Sequence, residues 1–211
     1  MRDLWYGDKR DIVKWGAILV LARKRSISTV LQVALYRPDR RNYHLTIDGS
    51  MESLPIDVFH HFRDIDQIQR LMAIVKLKIE VHKDFFLWNS AFRTREDFRK
   101  AYFDKVAKRI KEYSAASVIV FLDPDTGIAP RPATPTYEHV TPHEIHTVFG
   151  AMRPGDMQVF YQHAGLGDSA WMDSTKREFS QAIGPNIPVD VITCNQIAND
   201  VALFAVECRA K

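Results

Sequence analysis

An apolar run that ends in Asp-Pro-Asp-Thr-Gly constrains this chain more than any other feature of its sequence. Residues 118–122, Val-Ile-Val-Phe-Leu, are apolar on both faces, which is typical of an interior strand of a parallel sheet. In open α/β folds, ligands bind just beyond the carboxyl ends of such strands. The sequence therefore predicts two carboxylates, Asp123 and Asp125, at a ligand-binding edge. The alternative stays open that residues 123–127 are only a turn, because Pro fixes φ and Gly permits positive φ.

Strands and helices alternate along the rest of the chain. The predicted helices cover residues 11–24, 58–75, 94–113, 141–152 and 174–183. The predicted strands cover residues 29–36, 43–47, 77–81, 118–123, 157–161, 189–193 and 201–206. We expect a hairpin turn at 38–42 to join the first two strands, and an antiparallel hairpin to form the last two. The alternation predicts one three-layer α/β/α domain over residues 1–211, with a mostly parallel sheet.

Composition excludes several classes of protein. With 46% hydrophobic residues the chain can bury a substantial core, and its net charge of +3 is compatible with a nucleic-acid partner without requiring one. The longest apolar stretch, residues 15–22, is too short to span a bilayer, and no signal-peptide pattern is present. We therefore expect a soluble, cytoplasmic protein. Cys194 and Cys208 are typical of buried thiols in a reducing compartment, although a bridge between them stays open.

Two short motifs carry a resemblance to a known family. The order from Asp123 onward resembles the C-terminal half of Rossmann-like S-adenosylmethionine-dependent methyltransferases, whose last strand folds back antiparallel. Members that methylate nucleobase amino groups carry [Asp/Asn]-Pro-Pro-[Tyr/Phe] at this place, and Asp123-Pro124 matches its first half. Residues 7–15, Gly-Asp-Lys-Arg-Asp-Ile-Val-Lys-Trp, are similar to the Gly-Asn-x-x-Asp-Val-Leu-Lys-His segment of the ribosomal-RNA large-subunit adenine-N6 methyltransferase family. A related group of proteins from mobile and defence-associated genes looks similar in the same places.

The resemblance implies a Rossmann-like fold, S-adenosylmethionine as cofactor, and methyl transfer to a nucleobase amino group in nucleic acid. Asp123 and the carbonyl of Pro124 would orient the amine and take up developing charge. Gly7, Asp11 and Lys14 match the N-terminal segment and would lie on the cofactor side of the cleft. Asp11 and Lys14 could instead be an ordinary solvated ion pair three residues apart on a helix.

Other side chains are candidates for contacts with the substrate. Asp125 follows the central strand, and Gln162 and His163 follow the next predicted strand, so the three should lie near one another. Arg40 and Arg41 fall at the predicted hairpin tip, where basic side chains can contact phosphate. The proline-rich loop at 129–136 is long enough to be a functional flap rather than a connector.

An alternative function follows from the first predicted turn. Methyltransferases of this class have a glycine-rich turn after the first strand, where the backbone approaches the cofactor, but residues 36–40 are Tyr-Arg-Pro-Asp-Arg. The alternative is therefore a member of the same fold without cofactor binding. It would be a metal-dependent phosphoesterase that uses Asp123, Asp125 and His163, or a non-catalytic binding module in a defence or mobile-element complex.

Overall fold

The computed structural model describes residues 7–37, 44–47, 49–53, 67–130, 134–164 and 170–210. Arg40, Arg41 and the predicted helical residues 58–66 lie outside this part of the chain. The helices are α1 (Lys9–Arg25), α2 (Gln67–Val75), α3 (Arg95–Lys111), α4 (Pro142–Gly150) and α5 (Trp171–Ile183). The strands are β1 (Thr29–Val33), β2 (His44–Ile47), β3 (Ser50–Ser53), β4 (Lys78–His82), β5 (Val118–Leu122), β6 (Gly127–Ile128), β7 (His139–Val140), β8 (Met157–His163), β9 (Asp190–Cys194) and β10 (Ala198–Glu207).

The main sheet has six strands in the order β4-β1-β5-β8-β10-β9. Strand β1 is parallel to β4 and β5, and β5 is parallel to β8. Strand β10 is antiparallel to both β8 and β9, so the last strand of the chain lies between them. This topology confirms the prediction of a mostly parallel sheet that ends in an antiparallel hairpin.

Helices cover both faces of the sheet, as the alternation of elements predicted. In β5, Ile119 and Phe121 belong to the core beneath α1 and α2, whereas Val118, Val120 and Leu122 belong to the core beneath α3, α4 and α5. All five side chains of this strand are fully buried, because each face is covered by a helical layer. The three-layer α/β/α architecture is therefore confirmed.

The predicted helix starts are confirmed at two capping boxes. Thr94 accepts a hydrogen bond from the backbone of Asp97 at the start of α3, and Thr141 accepts one from Glu144 at the start of α4. In both helices the acidic residue bonds back to the backbone N–H of its threonine. These reciprocal bonds satisfy donors that a helix start leaves unpaired.

The predicted pairing of the first two strands is wrong, and the predicted turn itself, residues 38–42, lies outside the described residues. Strand β2 pairs antiparallel with β3 in a separate two-stranded sheet, and the turn between them includes Gly49 at φ 84°. Strand β1 pairs with β4 on one side and β5 on the other, so neither of its edges is open to β2. A local turn signal could not reveal that later parallel strands occupy both edges.

The path of the chain creates a switch point in the sheet. After β1 the chain moves to β4 on one side, and it then returns to β5 on the other side of β1. In open α/β sheets the crevice at such a point is the usual ligand site. The residues that follow β1 and β5 flank this crevice, and Asp123 and Pro124 are among them.

Two general expectations are tested by the described residues. Cys194 and Cys208 are free thiols rather than a disulfide. Among the described helices, none combines the length and the apolar composition needed to cross a bilayer.

Candidate active site at the switch point

A buried ion cluster joins the two motifs that lie far apart in the sequence. The Nζ atom of Lys14 lies 2.9 Å from Oδ1 of Asp123 and 3.2 Å from Oδ1 of Asp11. The other carboxylate oxygen of Asp11 accepts a hydrogen bond of 2.6 Å from the backbone N–H of Gly7. The side chains of Lys14, Asp11 and Asp123 are 8%, 7% and 1% exposed, so this is not the solvated ion pair of the alternative interpretation.

Two further side chains complete the surroundings of this cluster. Gln32 in β1 donates a hydrogen bond of 2.8 Å from Nε2 to Oδ2 of Asp123. The ammonium of Lys14 lies 4.1 Å from the centroid of the Tyr161 ring, a distance at which a cation is attracted to the ring face. Both oxygens of Asp123 thus have a protein contact. Among the described residues, Oε1 of Gln32 is buried without a hydrogen-bond partner.

The charges in this cluster do not balance. Burial disfavours the ammonium of Lys14, but the carboxylates of Asp123 and Asp11 outweigh that effect and raise the pKa of Lys14. Burial and the nearby charge of Asp123 raise the pKa of Asp11, although Lys14 opposes them. Burial also raises the pKa of Tyr161 to about 12. One buried cation therefore serves two buried carboxylates, and Asp11 is the one that takes up a proton more readily than usual.

A second ion pair crosses the switch point. Arg37, which follows β1, pairs with the carboxylate of Asp125, which follows β5. Nη1 of Arg37 also lies 3.6 Å from Oε1 of Glu138. The sequence predicts Asp125 near the substrate but gives Arg37 no role there, because residues 36–40 resemble an ordinary hairpin turn. The available signal in the sequence was that Arg37 is a cation just after β1. Strand β1 pairs with β5, the strand that precedes Asp125.

His163 lies at the end of β8 in a third group of charges. Its Nε2 lies 3.0 Å from Nη2 of Arg10 and 3.3 Å from Oδ2 of Asp200. The Arg10 guanidinium also donates from Nε to the same Asp200 oxygen at 3.1 Å, and hydrogen bonding to Arg10 is the main reason that the pKa of Asp200 is lowered. The sequence patterns do not indicate Arg10 or Asp200 as site residues. Arg10 stands at a variable position of the N-terminal motif, and Asp200 lies in the last hairpin, far from either motif.

Gln162 holds the loop after β5 against β8. Its Oε1 accepts a hydrogen bond of 2.9 Å from the backbone of Ile128, and its Nε2 donates to the carbonyl oxygen of Thr126 at 3.2 Å. Gly127 has φ 134°, and a Cβ atom at this position would overlap the side-chain amide of Gln162. The glycine of the Asp-Pro-Asp-Thr-Gly sequence is therefore required for this close packing, and a role of Gln162 in substrate binding stays a prediction.

The three residues proposed for a metal-dependent phosphoesterase do not form a metal site. Asp123, Asp125 and His163 each contact a different basic side chain. Within the described ranges, no three His, Cys, Asp or Glu side chains lie close enough together to hold a metal ion. The geometry therefore does not support divalent-metal catalysis by these residues.

The bend after β1 is compatible with the close approach of a ligand. Leu35 has φ 45°, in the left-handed region that glycine adopts most easily. Its side chain is fully buried in the core with Phe86 and Tyr102, and it therefore does not occupy the surface of the crevice. The backbone at Leu35 thus has a conformation that glycine adopts easily, although the sequence lacks a glycine-rich turn. In this respect the residues present fit a nucleoside cofactor.

Comparisons with known proteins give a likeness in fold. No protein-family model matches the chain, and no curated protein does. A Thermobifida fusca protein described provisionally as a methyltransferase is 10% identical over 96% of this chain and 80% of its own, with a TM-score of 0.43. A release-factor-specific protein-(glutamine-N5) methyltransferase from Alicyclobacillus acidocaldarius is 13% identical over 95% of this chain and 93% of its own, with a TM-score of 0.39. Human methyltransferase-like protein 13, solved with S-adenosylhomocysteine, is 16% identical over 93% of this chain and 82% of its own, also with a TM-score of 0.39.

The topology itself defines a Rossmann-like three-layer α/β fold whose last strand is antiparallel to its neighbours, as the sequence predicted. The low identities and TM-scores carry no argument about the reaction, which has to be argued from the site itself.

Proposed function

We propose that this chain is an S-adenosylmethionine-dependent methyltransferase that acts on a nucleobase amino group in nucleic acid. One observation carries the proposal: Lys14 of the N-terminal motif contacts Asp123 of the Asp-Pro motif at 2.9 Å inside the protein. The two motifs suggested this activity separately, and a shared buried contact at the switch point is what a common active site requires. No such contact is needed if each motif is only a helix start or a turn.

Asp123 is the residue that would orient the amine. A carboxylate offers about four acceptor positions; Gln32 uses one on Oδ2, and Oδ1 forms an ion pair with Lys14 but has no hydrogen-bond partner among the described residues. The remaining positions are available to an amino group that enters from the crevice, while the carbonyl of Pro124 offers a second acceptor beside it. Because the two protein contacts fix the carboxylate plane, the amine would be held with its lone pair directed to one side.

The cofactor supplies an electrophilic methyl group when it is bound. Gly7, Asp11 and Lys14 would hold it from the α1 side, and the backbone bend at Leu35 would hold it from the β1 side. The excess of carboxylate over ammonium in the buried cluster favours a cationic ligand, because a nearby positive charge offsets the unbalanced carboxylate. Burial of Asp123 keeps water away from its oxygens and strengthens its interaction with a developing positive charge.

Calorimetric titration with S-adenosylmethionine and S-adenosylhomocysteine tests the proposal first. We expect micromolar binding of both, followed by transfer of a labelled methyl group to bulk RNA or DNA. Asp123→Asn keeps the shape of the side chain and should reduce transfer at least a hundredfold. Asp104→Asn, an exposed position on α3, is the matched control and should leave transfer unchanged. Equal activity of the two variants would refute the role of Asp123.

A second candidate function is a binding module of the same fold that takes no cofactor. The observation that favours it is the Arg37–Asp125 ion pair, which bridges the two loops on either side of the crevice. Absence of any binding at millimolar cofactor would support this candidate. Arg37→Ala would then separate the possibilities, because cofactor binding that appears only in the variant would mean that the ion pair closes an intact pocket.

A further inference from the structure

A row of exposed apolar side chains follows β4 at the edge of the sheet that carries the candidate site. Phe85 is 57% exposed, Leu87 48% and Trp88 38%. The ring of Tyr36, which follows β1, packs against Phe85 with centroids 5.6 Å apart. We call Tyr36, Phe85, Leu87 and Trp88 the aromatic surface. Contiguous exposed apolar side chains of this kind mark binding sites more often than chance exposure does.

The residue between the exposed ones fixes the surface in place. Phe86 is fully buried, and its ring lies 4.7 Å from that of Tyr102 and 5.5 Å from that of Phe98. Its backbone N–H donates a hydrogen bond of 2.8 Å to the carbonyl oxygen of Tyr36. The backbone that carries the exposed rings is therefore fixed by a core anchor and a hydrogen bond, and binding costs little ordering of this backbone.

Basic side chains adjoin the aromatic surface. Lys83, Asn89 and Lys105 line a cleft of about 510 Å³ together with Phe85, Leu87 and Trp88. Lys105 is 66% exposed and contacts Asp84 at 3.0 Å. Helix α3 forms one wall of the cleft through Phe98, Ala101, Tyr102 and Lys105. Exposed rings for stacking, combined with lysines for phosphate, are the combination that binds single-stranded nucleic acid.

The position of the surface relative to Asp123 suits a nucleic-acid substrate. Strand β4 lies two strands from β5, and the carboxyl ends of β4, β1 and β5 are at the same edge because the three strands are parallel. At about 4.8 Å per strand, the ends of β4 and β5 are separated by about 10 Å. The Asp-Pro motif lacks the aromatic residue on which a target base would stack. Rings elsewhere along this edge are near enough to hold the bases on either side of the target.

We propose that the aromatic surface binds the unpaired bases of a single-stranded nucleic acid, while Lys83 and Lys105 contact its phosphates. The inference deepens the proposed function and rests on it for the identity of the ligand as a substrate. It does not rest on the cofactor, so binding can be measured without methyl transfer.

Fluorescence anisotropy with labelled oligonucleotides of about twelve nucleotides tests the proposal. We expect the single strand to bind more tightly than a duplex of the same sequence. Phe85→Ala and Trp88→Ala should each weaken single-strand binding at least fivefold, and Trp88→Phe should retain most of it because phenylalanine still stacks. Ile74→Ala, at an exposed apolar position on α2, is the matched control and should bind as the wild type does.

A salt titration separates the contribution of the lysines from that of the rings. Lys83→Ala with Lys105→Ala should reduce the slope of log affinity against log salt by about 0.7 for each phosphate that a lysine no longer neutralises. The ring variants should leave the slope unchanged. Equal binding of single strand and duplex, or wild-type binding by a folded Phe85→Ala/Trp88→Ala variant, would overturn the proposal. Self-association that the same double variant abolishes would assign the surface to a second copy of the chain instead.

Single-strand binding without methyl transfer would leave this inference standing and remove the proposed function. Methyl transfer that is unchanged by substitution of Phe85 and Trp88 would leave the proposed function standing and remove this inference.

Discussion

Two buried ionic groups on opposite faces of the sheet differ in how completely they are satisfied. Between α3 and α4, Arg99 donates to both oxygens of Glu144, at 2.6 Å from Nε and 2.7 Å from Nη2. Its remaining donors reach the carbonyl oxygens of Thr136 and His139, at 3.0 and 2.9 Å. One cation meets one carboxylate, and the pair ties two helices to the loop that precedes α4.

The Lys14 cluster on the other face has one cation for two carboxylates. Asp123 and Asp11 both contact Lys14, and Oε1 of Gln32 beside them is buried without a hydrogen-bond partner among the described residues. An unbalanced buried charge lowers stability, whereas a fully paired one can be close to neutral. Groups with perturbed pKa values concentrate at functional sites for this reason. The comparison therefore supports the Lys14 cluster, rather than the Arg99 pair, as the proposed functional site.

Lys14→Met should produce the largest loss of stability, because it leaves two buried carboxylates without a cation. We expect about 5 kcal/mol at pH 7, the upper end of what breaking a buried ion pair costs. The loss should shrink at lower pH, since the carboxylates can then take up protons. Urea unfolding at pH 7 and at a lower pH measures this loss. The control is Lys24→Met, at an exposed position on the same helix. A loss below about 1 kcal/mol would mean that the cluster is hydrated.

Arg99→Met should cost less, although it removes more hydrogen bonds. The partner left behind, Glu144, still accepts a hydrogen bond of 2.7 Å from the backbone N–H of Thr141, and it lies in the first turn of α4, where a helix favours negative charge. We expect about 3 kcal/mol in the same measurement. The control is Lys100→Met, because Lys100 is 73% exposed and belongs to a surface pair. A destabilisation larger than that of Lys14→Met would reverse the comparison.

The fold could be predicted from the sequence more completely than the site. Apolar runs and the capping residues Thr94 and Thr141 are local signals, so the strands, the helix starts and the layers followed from them. The pairing of β1 is a non-local fact, and a turn signal at 38–42 gave the wrong neighbour. For the site, the resemblance assigned Asp11 and Lys14 to the cofactor and Asp123 to the substrate, and only the tertiary structure reveals that Lys14 contacts both carboxylates.

No motif marked the cations that accompany the predicted site residues. Arg37 pairs with Asp125, and Arg10 contacts both His163 and Asp200. Each contact joins segments that are distant in the chain, and a basic residue at a strand or helix end is usually solvated. Their assignment therefore needed the register and order of the parallel strands.

Asp11→Asn should have the smallest effect on stability at neutral pH and the most informative dependence on pH. The variant leaves one cation with one carboxylate, so the Lys14 cluster becomes balanced like the Arg99 pair, and we expect a change within about 1 kcal/mol at pH 7. The folded-state pKa of Asp11 is raised above 3.8, so the folded wild type binds more protons than the unfolded chain above that pH. Wild-type stability should therefore fall relative to the variant as pH rises through this window.

Asp200→Asn is the control with the opposite sign. Arg10 lowers the pKa of Asp200, so this carboxylate stabilises the folded state above its ordinary pKa and loses that effect as pH falls. Unfolding free energies of both variants, each measured relative to the wild type between about pH 2 and pH 7, should then change in opposite directions as pH rises, Asp200→Asn mainly below about pH 4 and Asp11→Asn above it. If Asp11→Asn instead lost stability with rising pH, as Asp200→Asn should, Asp11 would be a stabilising partner of Lys14. The two buried groups would then be alike, and the Lys14 cluster would no longer stand out as the functional one.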